Sequence, residues 1–120
     1  MESSMDPDGD TSEPGCCGAS HELPESALAA DVRVLSALGN ATRYEALRIV
    51  AGSDDGVCVC ELQPSLGVGQ SAVSQALSRL YEAGLVTRRT EGRWRYYSAT
   101  PLARRLTDTL DEVREREEES

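Results

Sequence analysis

Lysine is absent from this chain, and so is phenylalanine; all twelve basic residues are arginine, and there is one tryptophan and one histidine. So few aromatics imply a small aliphatic core, of a kind that a partner chain helps to complete. No run of 18 apolar residues occurs, which excludes a transmembrane helix of ordinary length. The start, Met1-Glu2-Ser3-Ser4, offers neither a basic region nor an apolar stretch behind it, so no secretory signal is expected and a cytoplasmic location is. No Ser/His/Asp set and no phosphate loop can be assembled, so catalysis is not expected. A Lys-free, acid-rich composition resembles that of proteins from salt-loving archaea, although codon bias in a GC-rich genome favours arginine as well.

What is present is unevenly placed. The formal net charge is −9 over 120 residues, one domain's worth of chain. Residues 1–26 hold seven acids and no base, and residues 108–120 hold seven acids and two arginines. Between them, residues 27–107 hold ten arginines and seven acids. A basic centre flanked by acidic ends is compatible with nucleic-acid binding by the centre.

Residues 1–24, rich in Asp, Ser, Gly, Glu and Pro, read as a disordered acidic arm that carries Cys16-Cys17 and His21. Residues 25–116 read as the folded domain. Leu28, Val32 and Leu35 recur at helical spacing up to Gly39. Asn40 is placed to cap a second helix that ends at Gly52. A loop over 53–56 leads to a short helix at about 59–66, with Pro64 near its first turn. Gly67 and Gly69 make a turn, and Ser71 is the expected cap of a helix running to Gly84. The two runs around Glu91-Gly92 read as a β-hairpin. Pro101 opens a last helix, with Leu102, Leu106, Leu110 and Val113 on one side and an acidic end expected to fray.

The order of short helix, Gly turn, amphipathic helix and basic hairpin is that of a winged helix-turn-helix, mostly α with a small β wing. Val73, Ala76, Leu77 and Leu80 form the seating face of the third helix of this set. Ser71, Ser74, Gln75 and Ser78 form the other face, small enough to approach base edges, and glutamine can pair bidentately with adenine. Gln70 and Arg79 stand at the ends, where phosphates would lie. Arg88, Arg89, Arg93 and Arg95 arm the hairpin for backbone or minor-groove contact. The alternative is a merely solvated polar face, but the composite favours double-stranded DNA as partner.

The stretch Leu38-Gly39-Asn40-Ala41-Thr42-Arg43, the CVCEL of 58–62 and GQSAVSQALSRLYEAGLVTRRTEGRWRYYS at 69–98 together resemble the ArsR/SmtB family of metal-responsive repressors. The resemblance covers about residues 27–107. It implies a repressor that works as a homodimer on an inverted-repeat operator. The candidate seam is Leu28, Val32, Leu35, Leu102, Leu106 and Leu110, although some of these leucines would also fill the chain's own core.

Cys58 and Cys60 flank one residue at the entry to the short helix. In a regular helix residues two apart point about 200° away from each other, so one ion can join them only where the helix start is irregular or reshaped. Soft thiolates suit As(III), Sb(III), Cd(II), Pb(II) and Cu(I). Two thiols are too few for bare As(III), which takes three. Family members with an arsenic site in this helix often read C-V-C-D-L-C, whereas here Gln63 holds the third position. The resemblance points to Cys16 and Cys17 as sources of the missing ligand. The leading expectation is release from operator DNA when As(III) or Sb(III) binds. Others are a Cd(II)/Pb(II) sensor using all four cysteines, a thiol redox switch on the same fold, and a thiol oxidoreductase or metal chaperone. No thioredoxin-like pattern surrounds the thiols to favour the last. Cys58 and Cys60 as small buried apolar residues is the non-functional reading.

Overall fold

Asn40 has extended backbone (φ −129°, ψ 130°), and its side chain accepts the Arg43 N–H at 3.0 Å, so the chain stops one helix and starts the next within two residues. A computed structural model describes residues 18–119, so Cys16 and Cys17, with the rest of the arm up to residue 17, lie outside the described residues. Among the described residues are five helices and three strands: α1 (Glu25–Leu38), α2 (Ala41–Ala51), β1 (Val57–Cys58), α3 (Val59–Leu66), α4 (Gln70–Glu82), β2 (Val86–Glu91), β3 (Trp94–Ala99) and α5 (Pro101–Glu119). The expected winged helix-turn-helix is present, with α3 and α4 as its two helices. None of these helices is long and apolar enough to cross a membrane.

Apolar side chains, almost all aliphatic, meet in one core. Ala46, Leu47 and Val50 of α2, Leu62 of α3, Val73, Leu77 and Leu80 of α4, Leu85, Val86, Tyr97 and Ala103 are all buried there. Arg43, whose spacing from Leu38 marked the family motif, turns back on α1: its Nε donates to the Ala37 carbonyl at 2.8 Å and its Nη2 to that of Ser36 at 3.1 Å. It thereby satisfies carbonyls left open at the end of a helix. Arg104 of α5 does the same for α2, donating to the Ala51 carbonyl at 2.9 Å.

The hairpin pairs Val86 with Ala99 through to Glu91 with Trp94, closed by Gly92 at φ 63°. A third strand was not expected. Val57 and Cys58 pair with Tyr97 and Tyr96, so the sheet runs β1-β3-β2. Three other expectations are corrected. Gly69, not Ser71, is the N-cap residue of α4, which begins at Gln70 and has no side-chain cap. Pro64 is the sixth residue of α3, beyond its first turn, so the Cys60 carbonyl lacks the N–H it would otherwise meet. The acidic end of α5 is helical to Glu119.

Of the six candidate seam residues, Leu28, Val32 and Leu35 on α1 and Leu102 and Leu110 on α5 are exposed in the single chain. Leu106 is half-buried and packs on the chain's own core.

Candidate thiol and nucleic-acid-reading site

Cys58 ends β1 and is the N-cap residue of α3, with extended backbone (φ −84°, ψ 150°). The 200° separation of a regular helix therefore does not apply to the pair. Its sulfur lies 2.7 Å from that of Cys60, and both thiols are free. Cys58 is buried and Cys60 exposed, so the pair has one inner and one outer member.

The Cys58 sulfur also serves the backbone. It accepts the Cys60 N–H at 3.4 Å, while the Glu61 carboxylate accepts the Cys58 N–H at 2.9 Å. This is a reciprocal capping arrangement in which sulfur replaces the usual hydroxyl. The Cys60 thiol is raised above its ordinary pKa, first by its hydrogen bond with Cys58, then by desolvation and the negative charges of Cys58 and Glu61.

Both thiols open into a cleft of about 400 Å³. Gln70, Ser74 and Ser78 of α4 form one wall, at the i, i+4, i+8 spacing that puts them on a single edge. Arg93, Trp94 and Arg95 of the wing form another, and Gln63, three residues on from Cys60 in α3, lies between. Trp94, read from sequence only as a strand residue, is half exposed here. Its position at the start of β3, two residues after the turn glycine Gly92, was the signal available. Ser71 is exposed on α4; Gln75 and Arg79 line a second groove together with Ser74 and Ser78, and Arg79 also lines a groove against α1.

The four wing arginines divide into two pairs. Arg93 and Arg95 line the thiol cleft. The Arg88 guanidinium lies 4.2 Å from the centre of the Tyr81 ring on α4. Arg89 lies over Tyr96 at 4.9 Å and donates to the Glu91 carboxylate at 2.9 Å. Its neighbour Gly56, at φ 96°, has room for no Cβ without meeting Arg89 and Ser98 at 3.1 Å.

Two thiols close together suit a soft ion, but among the described residues no third His, Cys, Asp or Glu joins them. His21 does not approach; its Nδ1 accepts the Leu23 N–H at 3.1 Å.

Comparison with known proteins agrees with the fold. Residues 40–88 match the family described as bacterial regulatory protein, arsR family. A protein of Halobacterium salinarum named as a candidate arsenical resistance operon repressor, ArsR2, is 60% identical over 99 residues, covering 82% of this chain and 83% of its own. HlyU from Vibrio cholerae is 30% identical with a TM-score of 0.65, covering 75% of this chain and 97% of its own. A homodimeric winged helix-turn-helix DNA-binding domain from Mycobacterium bovis is 27% identical with a TM-score of 0.71, covering 78% of this chain and 86% of its own.

Proposed function

This chain belongs to the arsR family of regulatory proteins, DNA-binding winged-helix regulators rather than enzymes, and from that premise we propose that it is a repressor released from its operator by As(III) or Sb(III). One observation carries the reading. Cys58 and Cys60, 2.7 Å apart, share a cleft with one edge of α4 and with the wing tip.

DNA reading falls to Gln70, Ser71, Ser74, Gln75 and Ser78 on α4, with Arg79, Arg93 and Arg95 on phosphates; Arg88 and Arg89 are secondary. A second copy covers the exposed apolar residues of α1 and α5; the M. bovis domain is described as homodimeric. Two-fold symmetry then sets half-sites roughly one helical turn, about 34–36 Å, apart.

The inducer acts on the atom that caps α3. Once the Cys58 sulfur is an arsenic ligand, its bond to the Cys60 N–H is given up and the start of α3 is remodelled. Because Cys58 also pairs with Tyr96, the wing feels the same event. The ion stands on the wall that faces DNA, so induction and operator binding draw on one surface. Cys16 or Cys17 supplies the third thiolate. A site using all four cysteines would favour Cd(II) or Pb(II) instead.

The test is a gel shift of operator-bound, reduced protein titrated with arsenite, cadmium and zinc, on wild type and Cys58→Ser. Arsenite should release wild type at stoichiometric concentration and leave the variant bound; no release of wild type rejects the reading. The sulfur separation also favours a second reading, in which peroxide takes two electrons and two protons from the pair to give a disulfide and two waters. Operator binding unchanged by peroxide rejects it.

A further inference from the structure

Arg93 and Arg95 carry charge at the tip of the wing, and the residue between them is the only tryptophan in the chain. Trp94 opens β3, stands across the hairpin from Glu91, and is 50% exposed. Single exposed apolar residues are common on protein surfaces, so exposure by itself assigns nothing. Three further features single this one out. The core does not use its ring: Tyr97 supplies the wing's aromatic there, and the two arginine–ring stackings among the described residues take Tyr81 and Tyr96. Its neighbours Arg93 and Arg95 are exposed, and neither is ion-paired among the described residues. All three line the cleft whose other wall is Gln70, Ser74 and Ser78 of α4.

A surface that sets two cations and a wide apolar ring beside a reading helix matches the sugar–phosphate strand bordering the groove which that helix enters. Arginines meet its phosphates. Between phosphates the strand presents deoxyribose, uncharged and walled with C–H groups. Resting on the DNA-reading role given to α4 above, we propose that Trp94 is a DNA-contact residue, its indole packed on deoxyribose at the edge of the adjoining minor groove. The contact adds affinity of a kind that the arginines do not. Phosphate contacts release condensed counterions and weaken as salt rises. Apolar burial releases none, and salt leaves it intact or strengthens it. Trp94 therefore carries a share of the affinity that survives at high salt.

The probe is a duplex that the full-length reduced protein selects from a random-sequence pool. Trp94→Ala should bind it about tenfold more weakly at every salt concentration, so that log affinity against log salt runs parallel to wild type. Arg93→Ala/Arg95→Ala, in contrast, should change the slope. Trp94→Phe keeps a ring and should recover most of the loss. The half-exposed residue contributes little to the fold, and urea unfolding of both Trp94 variants should stay near wild type. The indole also reports the contact with no substitution at all, because its fluorescence is that of a single tryptophan. Acrylamide should quench it freely in the unbound protein and several-fold less in the complex. Equal affinity of Trp94→Ala and wild type, a loss that changes with salt, or an indole quenched as fast in the complex as in the free protein overturns the proposal. Each of those results leaves DNA reading by α4 standing. A wild type that selects no duplex from the pool overturns both.

Discussion

α3 and α4 are the two halves of one helix-turn-helix, and they are held in opposite ways. α4 has thirteen residues and buries Val73, Ala76, Leu77 and Leu80 at a continuous helical spacing, with no side-chain cap at its start. α3 has eight residues, buries only Leu62, contains Pro64, and is capped by a sulfur. α4 is fixed by burial, which no small ligand can undo. The helix before it is fixed by a hydrogen bond to an atom that soft ions seek. On the function proposed above, rigidity for recognition and softness for response are divided between neighbouring elements, with the cleft between them.

The largest expected effect falls on the rigid half. Leu77 is fully buried, and Leu77→Ala should cost about 2–5 kcal/mol through reduced burial and the cavity left behind. Urea unfolding measures it, and operator binding should fail with it. Cys58→Ala in the soft half should cost about 1 kcal/mol, the value of a cap. Equal losses at the two positions would break the comparison.

The wing gives the next effect. The slope of log affinity against log salt falls by about 0.9 for every phosphate that the protein no longer neutralises. Arg93→Ala/Arg95→Ala should therefore lower it by nearly two. Arg88→Ala/Arg89→Ala should change it by less than one, because Arg88 lies on Tyr81 and Arg89 is paired with Glu91. Operator titrations at several salt concentrations decide the matter, and equal slopes would show that the stacked arginines reach DNA after all.

These pairs also show where sequence reading stopped. The helices, the Asn40 cap and the hairpin were legible because caps, periodicity and turn glycines act over a few residues. β1 was not, because its partners Tyr96 and Tyr97 lie almost forty positions away. The Cys58–Cys60 spacing looked unfavourable only on the premise that both residues are helical. A two-residue strand removes that premise and brings the sulfurs together. Four wing arginines look alike in one dimension, and only the packing of Tyr81 and Tyr96 separates them. Leu106 likewise shared its periodicity with Leu102 and Leu110 but turned inward.

A smaller effect concerns the thiols themselves. The hydrogen bond with Cys58 raises the Cys60 pKa, and the thiolate is the reactive form. Cys58→Ala removes that bond and its neighbour's charge, so Cys60 should titrate at lower pH and react faster with iodoacetamide at neutral pH. The rate measured across a pH series should keep its plateau at high pH and rise earlier. An unmoved midpoint would mean that the sulfurs are not coupled in solution.

The smallest effect tests the soft half most directly. Glu61 touches neither core nor DNA-reading edge; its carboxylate accepts the Cys58 N–H and so completes the cap. If the inducer-bound form has already given up this cap, Glu61→Ala destabilises the free and operator-bound forms and leaves the inducer-bound form unchanged. Operator affinity without inducer should then hold, because both states it compares lose the same bond. A cap worth about 1 kcal/mol corresponds to roughly fivefold in an equilibrium constant, so arsenite at half release should fall by about that factor. Glu61→Gln keeps an oxygen acceptor at the same reach and should stay near wild type. Should Glu61→Ala need as much arsenite as wild type, α3 keeps its cap when the inducer binds. The signal would then have to leave the thiols through β1 and the wing.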